Sequence, residues 1–272
     1  MFAAVAAFAL AASVRPALSV VQGEAPEIAI VIDDFGLTYP KNVPDELWMR
    51  IPWPVTFAVM PESPRTASAA RETLSSGHEL LVHFPFDPFL RLSLPPAKAS
   101  PEDMKKTEAL LVKALKEIPG ASGLNNHRSF KATQNAPLMA FFMKRLKPTG
   151  LFFVDSLVSP RSVAFREARA AGLKAARNFI FLDTAKVHDK AFCEKMLRRA
   201  AARAKKTGSV LVIGHHYFWG TYQGLLEEVP RLQAEGFRLV FASALAAEGP
   251  FPQGNGAGGG NRTHMSPRDA RF

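Results

Sequence analysis

The sequence predicts an α/β protein built on a single β/α barrel, closed or partly closed, and three observations carry that reading. Short buried-strand patterns alternate with amphipathic helical ones between residues 27 and 247, an order that generates βαβ units and a parallel sheet. Seven strand-like runs are present, and six or more repeats of the unit suit a barrel better than an open sheet. Several of these runs end in Asp or His, as expected where a barrel presents its site at the C-terminal ends of its strands.

The first run, residues 28–32 (IAIVI), is apolar without interruption and reads as a strand covered on both faces. It ends in Asp33-Asp34, followed by Phe35 and Gly36. Neighbouring side chains on a strand point to opposite faces. One carboxylate is thus placed to bind a cation while the other, turned by the bend at Gly36, handles a proton. The competing reading is a turn or helix cap, where Asp is locally favoured. Residues 55–60, 79–84, 150–154, 179–182, 209–213 and 238–241 read as the remaining strands. Helical patterns lie between them at 63–76, 101–118, 136–147, 162–171, 189–206 and 222–234. The proline-rich stretch 85–96 follows a strand and is expected as a loop over the site. No repeat of 20 to 50 residues is visible, which argues against a solenoid.

The barrel is assigned to residues 27–247, with a linker at 20–26. Residues 1–19 are apolar and alanine-rich with small residues near the end, like a secretory signal. They lack a basic start, so a misplaced start codon, an uncleaved anchor and a plain disordered leader compete with that reading. Export to the periplasm or beyond is the expectation. The Gly-rich stretch 248–272 has no hydrophobic period and is expected to be a disordered tail.

An apolar content of 47% supplies a sizeable core. The single cysteine, Cys193, excludes an internal disulfide and a cysteine-cluster zinc site, and its helical context reads as packing. The net charge of +10 comes from 34 basic against 24 acidic residues. Much of it falls in helical stretches such as 195–206, a solvated face with a secondary attraction to anionic envelope polymers. Nucleic acid is excluded as a partner, because no basic cluster with interleaved aromatics or known motif appears.

Four more polar groups stand at or just beyond strand ends: His83, His127, Asp155 and His215. One carboxylate with two imidazoles and an open position is the ligand set of a hydrolytic zinc or similar divalent site, and Asp34, His83 and His127 supply it. Taken singly, His83 also fits a core histidine, and His127, after two asparagines in a glycine-led loop, fits a turn. His78 precedes its strand and belongs to the opposite end.

The segments IAIVIDDFG, PVTFAVMP, HELLVHFPFDP, GLNNH, GLFFVDS, SVA, FLD and IGH, in this order over residues 27–246, resemble the divergent polysaccharide deacetylase family. The resemblance implies a distorted seven-stranded β/α barrel related to chitooligosaccharide deacetylases. It implies Asp33 as the base, Asp34 as a metal ligand, His83 as the first metal histidine and His127 as the second. The function it implies is a metal-dependent hydrolase, with Zn2+ or a similar divalent ion, that deacetylates an N-acetylated envelope polysaccharide or peptidoglycan fragment. His215 would then protonate the leaving amine, and Asp155 would orient a histidine or hold substrate. Asn125 and Asn126 are expected at the substrate. Phe86, Phe89, Phe130, Tyr217 and Trp219 are candidates for stacking on sugars or for loop packing. Three departures fall in the surrounding loops. Position 87 is Asp where a second histidine is usual, Arg128-Ser129-Phe130 replaces Met-Gly-Ser, and His216-Tyr217-Phe218-Trp219 replaces a proline-rich turn. They motivate a second reading, a non-catalytic barrel that binds glycan or an envelope protein.

Overall fold

A computed structural model describes residues 25–39, 42–94 and 99–247. The expected leader, most of the linker and the Gly-rich tail lie outside the described residues. In chain order the elements are β1 (Glu27–Phe35), α1 (Asp45–Met49), β2 (Thr56–Val59), α2 (Thr66–Ser75), β3 (Glu79–Pro85), α3 (Pro101–Glu117), β4 (Gly123–His127), α4 (Ala136–Leu146), β5 (Phe152–Asp155), α5 (Ala164–Ala170), β6 (Ala175–Arg177), β7 (Ile180–Phe181), α6 (Lys190–Thr207), β8 (Ser209–His215), α7 (Trp219–Ala234), β9 (Arg238–Val240) and α8 (Ala242–Leu245). All seven strand-like runs form strands.

The strands make one parallel sheet in the order β6-β5-β4-β3-β2-β1-β8-β7, with β9 on β1. Its two edges are joined by one bent segment of chain. Beyond β6 the Asn178 amide donates to the Asp155 carbonyl on one side (2.9 Å), and the next amide, Phe179, donates to Leu211 on the other (2.9 Å). Counted as one strand, β6 and β7 complete a ring of seven. This is the distorted barrel that the sequence leads one to expect, although nine strands are formed among the described residues. β9 pairs only Glu27–Ala29 of β1, and β2 pairs it from Val31 onward.

Two strands were not expected. β4 was read as a glycine-led loop because Leu124 is its only large apolar residue, yet it pairs β3 and β5 on either side and every one of its residues is buried. β6 is too short and alanine-rich to show a pattern.

Period-two alternation divides the core. Ala29, Val31, Ala58, Leu81, Val154, Leu211 and Ile213 belong to one cluster, which fills the barrel. Ile28, Ile30, Ile32, Val82, Leu124 and Val212 belong to the other, between sheet and helices. Gly123 makes room inside, since a Cβ there would come 2.7 Å from the Phe152 ring. The outer helices begin where their sequences say they should. Ser100 forms a capping box with Asp103, and Asn135 and Asp189 accept from Leu138 and Phe192 at the starts of α4 and α6. Cys193 is buried against Gly224 of α7, in keeping with a packing role. The basic run of α6 is partly paired, with Arg198 bridging Glu228 and Glu235. Among the described residues no helix is long and apolar enough to cross a membrane.

Candidate metal centre and catalytic groups

The site stands at the C-terminal ends of the strands, and strand parity builds most of it. Val31 lies in the barrel cluster, so Asp33 follows it inward. Asp33 pairs in register with His215 of β8, and His83 of β3 pairs with Asn125 of β4. Asp34 should by parity face the helices. A bulge overrides this, because three steps of β1 from Ile32 to Phe35 match two steps of β2 from Phe57 to Val59. Asp34 itself takes a left-handed φ of 74°, which Asp tolerates better than most residues. The bend expected at Gly36 is present as well, with a φ of 93° there, and both carboxylates line one cavity with His83, His127 and His215.

Asp34, His83 and His127 converge. His127 Nδ1 is 2.9 Å from Asp34 Oδ1 and 3.0 Å from His83 Nε2, and His83 Nε2 is 3.0 Å from Asp34 Oδ1. The supply of protons decides whether a cation fits there. His83 Nδ1 faces Asn125 Oδ1 at 2.7 Å, an arrangement that puts the proton of a neutral His83 on Nδ1 and leaves Nε2 a lone pair. That lone pair points at a carboxylate oxygen, with a third nitrogen beside both. A divalent cation among the three atoms satisfies them all, and two imidazoles with one carboxylate suit zinc or a similar borderline ion.

The electrostatics agree. Burial pushes the Asp34 carboxyl up, but His127 and His83 outweigh it and hold the group well below the usual range. Burial depresses His83, and the charges of Asp33 and Asp34 more than reverse this, favouring positive charge at its Nε2. Burial brings His127 down to about 4, so it stays neutral. Its Nε2 is buried with no hydrogen-bond partner among the described residues.

Asp33 and His215 sit beside this group with different environments. Burial raises the Asp33 carboxyl against the pull of His83 and His215. Its Oδ1 accepts from Asn125 Nδ2 at 2.7 Å, and its Oδ2 lies 3.7 Å from His83 Nε2. For His215, burial opposes protonation, but Asp183 outweighs it and lifts the imidazole to about 9. Asp183 Oδ1 is 2.5 Å from His215 Nδ1, and its Oδ2 accepts from the His215 amide (2.9 Å) and Thr221 Oγ1 (2.6 Å). A Cβ at Gly214 would come 2.9 Å from Thr221 Cγ2 and 3.3 Å from Asp183 Oδ2, so the glycine keeps space for this network.

Several expected roles need correction. Asp155 orients no histidine. Its buried carboxylate accepts from Ser162 Oγ and from the amides of Leu157 and Phe165, closing its own loop. The carboxylate that orients a histidine is Asp183, which the expected residues omitted. The strand-end rule applied to residues 179–182 points to it, because Asp183 is the next residue. Asn125 is wholly buried, with its amide spent on His83 and Asp33, so it positions those groups instead of meeting substrate. Asn126 reaches the cavity wall, but its oxygen accepts from the Ser156 amide and its nitrogen donates to the Arg128 carbonyl. Phe86 is a core residue packed on Phe84 and Phe142. Trp219 is exposed, packs edge-on against Tyr222 and does not line the cavity. Tyr217 does line it, and Phe89 stands 5.1 Å from the His127 ring. His78 lies before β3, at the other end of the barrel, against Phe57.

Comparison with known proteins agrees with this architecture. The divergent polysaccharide deacetylase family matches residues 30–246. The chain is 35% identical over 225 residues to the uncharacterized protein YibQ of Escherichia coli K12, covering 82% of this chain and 68% of that protein. The crystal structure of an uncharacterized protein from Agrobacterium tumefaciens C58 shares the fold with a TM-score of 0.68 at 18% identity, covering 82% of this chain and 90% of that one. A family 4 carbohydrate esterase from Streptomyces lividans, in complex with acetate, shares it with a TM-score of 0.54 at 12% identity, covering 83% and 98% of the two chains. Matched over nearly all of its barrel, the chain belongs to the divergent polysaccharide deacetylase family.

Proposed function

We propose that this protein is a metal-dependent hydrolase that removes the acetyl group from an N-acetylated glycan of the bacterial envelope. The observation that carries the reading is the pairing of a three-ligand cluster, Asp34, His83 and His127, with a carboxylate and a cationic imidazole in register on adjacent strands. A divalent cation held by the three ligands supplies a Lewis acid for the acetyl carbonyl and lowers the pKa of water in contact with it. Asp33 takes a proton from the attacking water as its oxygen bonds to the acetyl carbon. His215, its Nδ1 held by Asp183, gives a proton from Nε2 to the amide nitrogen as the carbon–nitrogen bond breaks, so that acetate and an amine leave. Asn125 holds Asp33 and the tautomer of His83 for these steps.

The test is metal content joined to acetate release from N-acetylglucosamine oligomers. Purified protein is expected to hold one divalent ion per chain, to lose acetate release on chelation and to regain it with zinc. Metal-loaded protein that binds the oligomers and releases no acetate would replace this reading with the non-catalytic barrel. The leader-like run at residues 1–19 supports a periplasmic or secreted enzyme, expected to show a mature N-terminus near Val20. Recovery of the full-length chain from the cytoplasm alone would oppose export.

A further inference from the structure

The loop after β4 carries a charge that the reaction above does not use. Arg128 lines the same cavity as Asp33, Asp34 and His127. Among the described residues of that lining it is the one with a permanent positive charge, since a guanidinium does not titrate near neutrality. Its backbone has a φ of 46°, and Ser129 after it has a φ of 65°. Two successive side-chain-bearing residues in the left-handed region cost on the order of 1–3 kcal/mol each and persist only where surroundings enforce them.

Those surroundings are specific. The Ser129 amide donates to the Asp87 carbonyl (3.2 Å), and Ser129 Oγ donates to the His127 carbonyl (2.5 Å). The Asp87 carboxylate accepts from the amides of Ala132 (2.7 Å) and Lys131 (3.1 Å) and so ties the two loops together. Asn126 Nδ2 donates to the Arg128 carbonyl. The guanidinium carbon lies 5.6 Å from the centre of the half-exposed Phe89 ring, which itself stands 5.1 Å from the His127 ring. The loop thus spends backbone strain and an aromatic shelf on setting one guanidinium at the mouth of the metal-ligand cavity.

We propose that Arg128 selects, among N-acetylated sugars, those carrying an anionic substituent, a carboxylate or a phosphate, close to the acetamido group. The proposal rests on the deacetylase reading for its substrate frame. The guanidinium offers paired donors in the geometry that carboxylate and phosphate oxygens match. Phe89 beside it offers a face for the sugar ring.

The test uses the metal-loaded full chain and three oligosaccharides matched in length: a neutral N-acetylglucosamine oligomer, the same carrying a lactyl carboxylate, and the same carrying a phosphate. Equilibrium binding and acetate release are both measured. Wild type is expected to prefer an anionic ligand. R128Q is expected to lower affinity and kcat/KM for that ligand about tenfold to hundredfold, the loss of one charge-assisted contact, while the neutral oligomer changes less than about threefold. R128E should reverse the preference, and R128K should keep part of it. R166Q, a charge change on α5 away from the cavity, should leave all three ligands unchanged. Metal content and circular dichroism identify a variant that has lost the fold, in which case R128K and added salt read the same preference. The proposal is overturned if R128Q weakens neutral and anionic ligands equally, because Arg128 would then serve the transition state or the loop. Acetate release without charge preference overturns it and leaves the deacetylase reading intact. Charge-selective binding that needs Arg128, without acetate release from any oligomer, supports it and removes the deacetylase reading. The carboxylate and phosphate arms show which anion is read.

Discussion

Asp33→Asn is expected to keep the bound metal and lose acetate release by about 10²–10⁴-fold, the range spanned by a positioned general base, whereas Asp34→Asn loses metal and turnover together. The asymmetry follows from the bulge in β1. Asp34 Oδ1 touches both His83 Nε2 and His127 Nδ1, while Asp33 approaches His83 Nε2 only at 3.7 Å. In the Asp33 variant the new amide oxygen can still accept from Asn125, so the neighbouring side chains keep their places. The amide cannot accept the water's proton. Elemental analysis of each purified variant, with acetate release on the same samples, decides the matter. Comparable metal loss in both variants would mean that the two carboxylates do not divide the work.

The second large effect is on the acid side. His215 is lifted to about 9 by Asp183, so it is cationic below that pH and loses its proton as pH rises through it. Wild-type kcat should accordingly decline on the alkaline side near pH 9. Asp183→Asn removes the charge that offsets burial, so the His215 pKa falls and the alkaline limb moves to lower pH. At pH 8 the variant should lose about 10²-fold or more, the scale of general-acid catalysis, with metal content unchanged. A substrate whose leaving group needs no proton should lose much less. An alkaline limb that stays in place in the Asp183 variant would show that His215 is not the group titrating. Asp155→Asn is the matched control, since its carboxylate closes a loop and touches no histidine.

The candidate site was legible to different depths in different residues. Asp34 and His83 stood out because a strand that ends in Asp or His departs from a local pattern visible in a few residues, whereas His127, in a stretch read as a loop, stood out through the NNH segment of the family resemblance. Asp155 and Asp183 obey the same rule and differ only in what stands opposite them, Ser162 in one case and His215 in the other. Asn125 was expected at the substrate. Its burial between His83 and Asp33 is a long-range fact, set by the pairing of β4 with β3.

By itself the sequence determined the alternation of strands and helices, the burial of the strand runs and the end of the barrel that carries polar chemistry. These depend on periodicities of two and of about 3.6 residues, which are local. Tertiary structure alone decided four things: that GLNNH is a buried strand, that a bulge brings Asp33 and Asp34 to one side, that β6 and β7 close the ring, and that Asp183 is the partner of His215. Each depends on contacts between residues far apart in the chain. A single side chain's role there is set by what the neighbouring strand presents at the same height, and no local pattern encodes it.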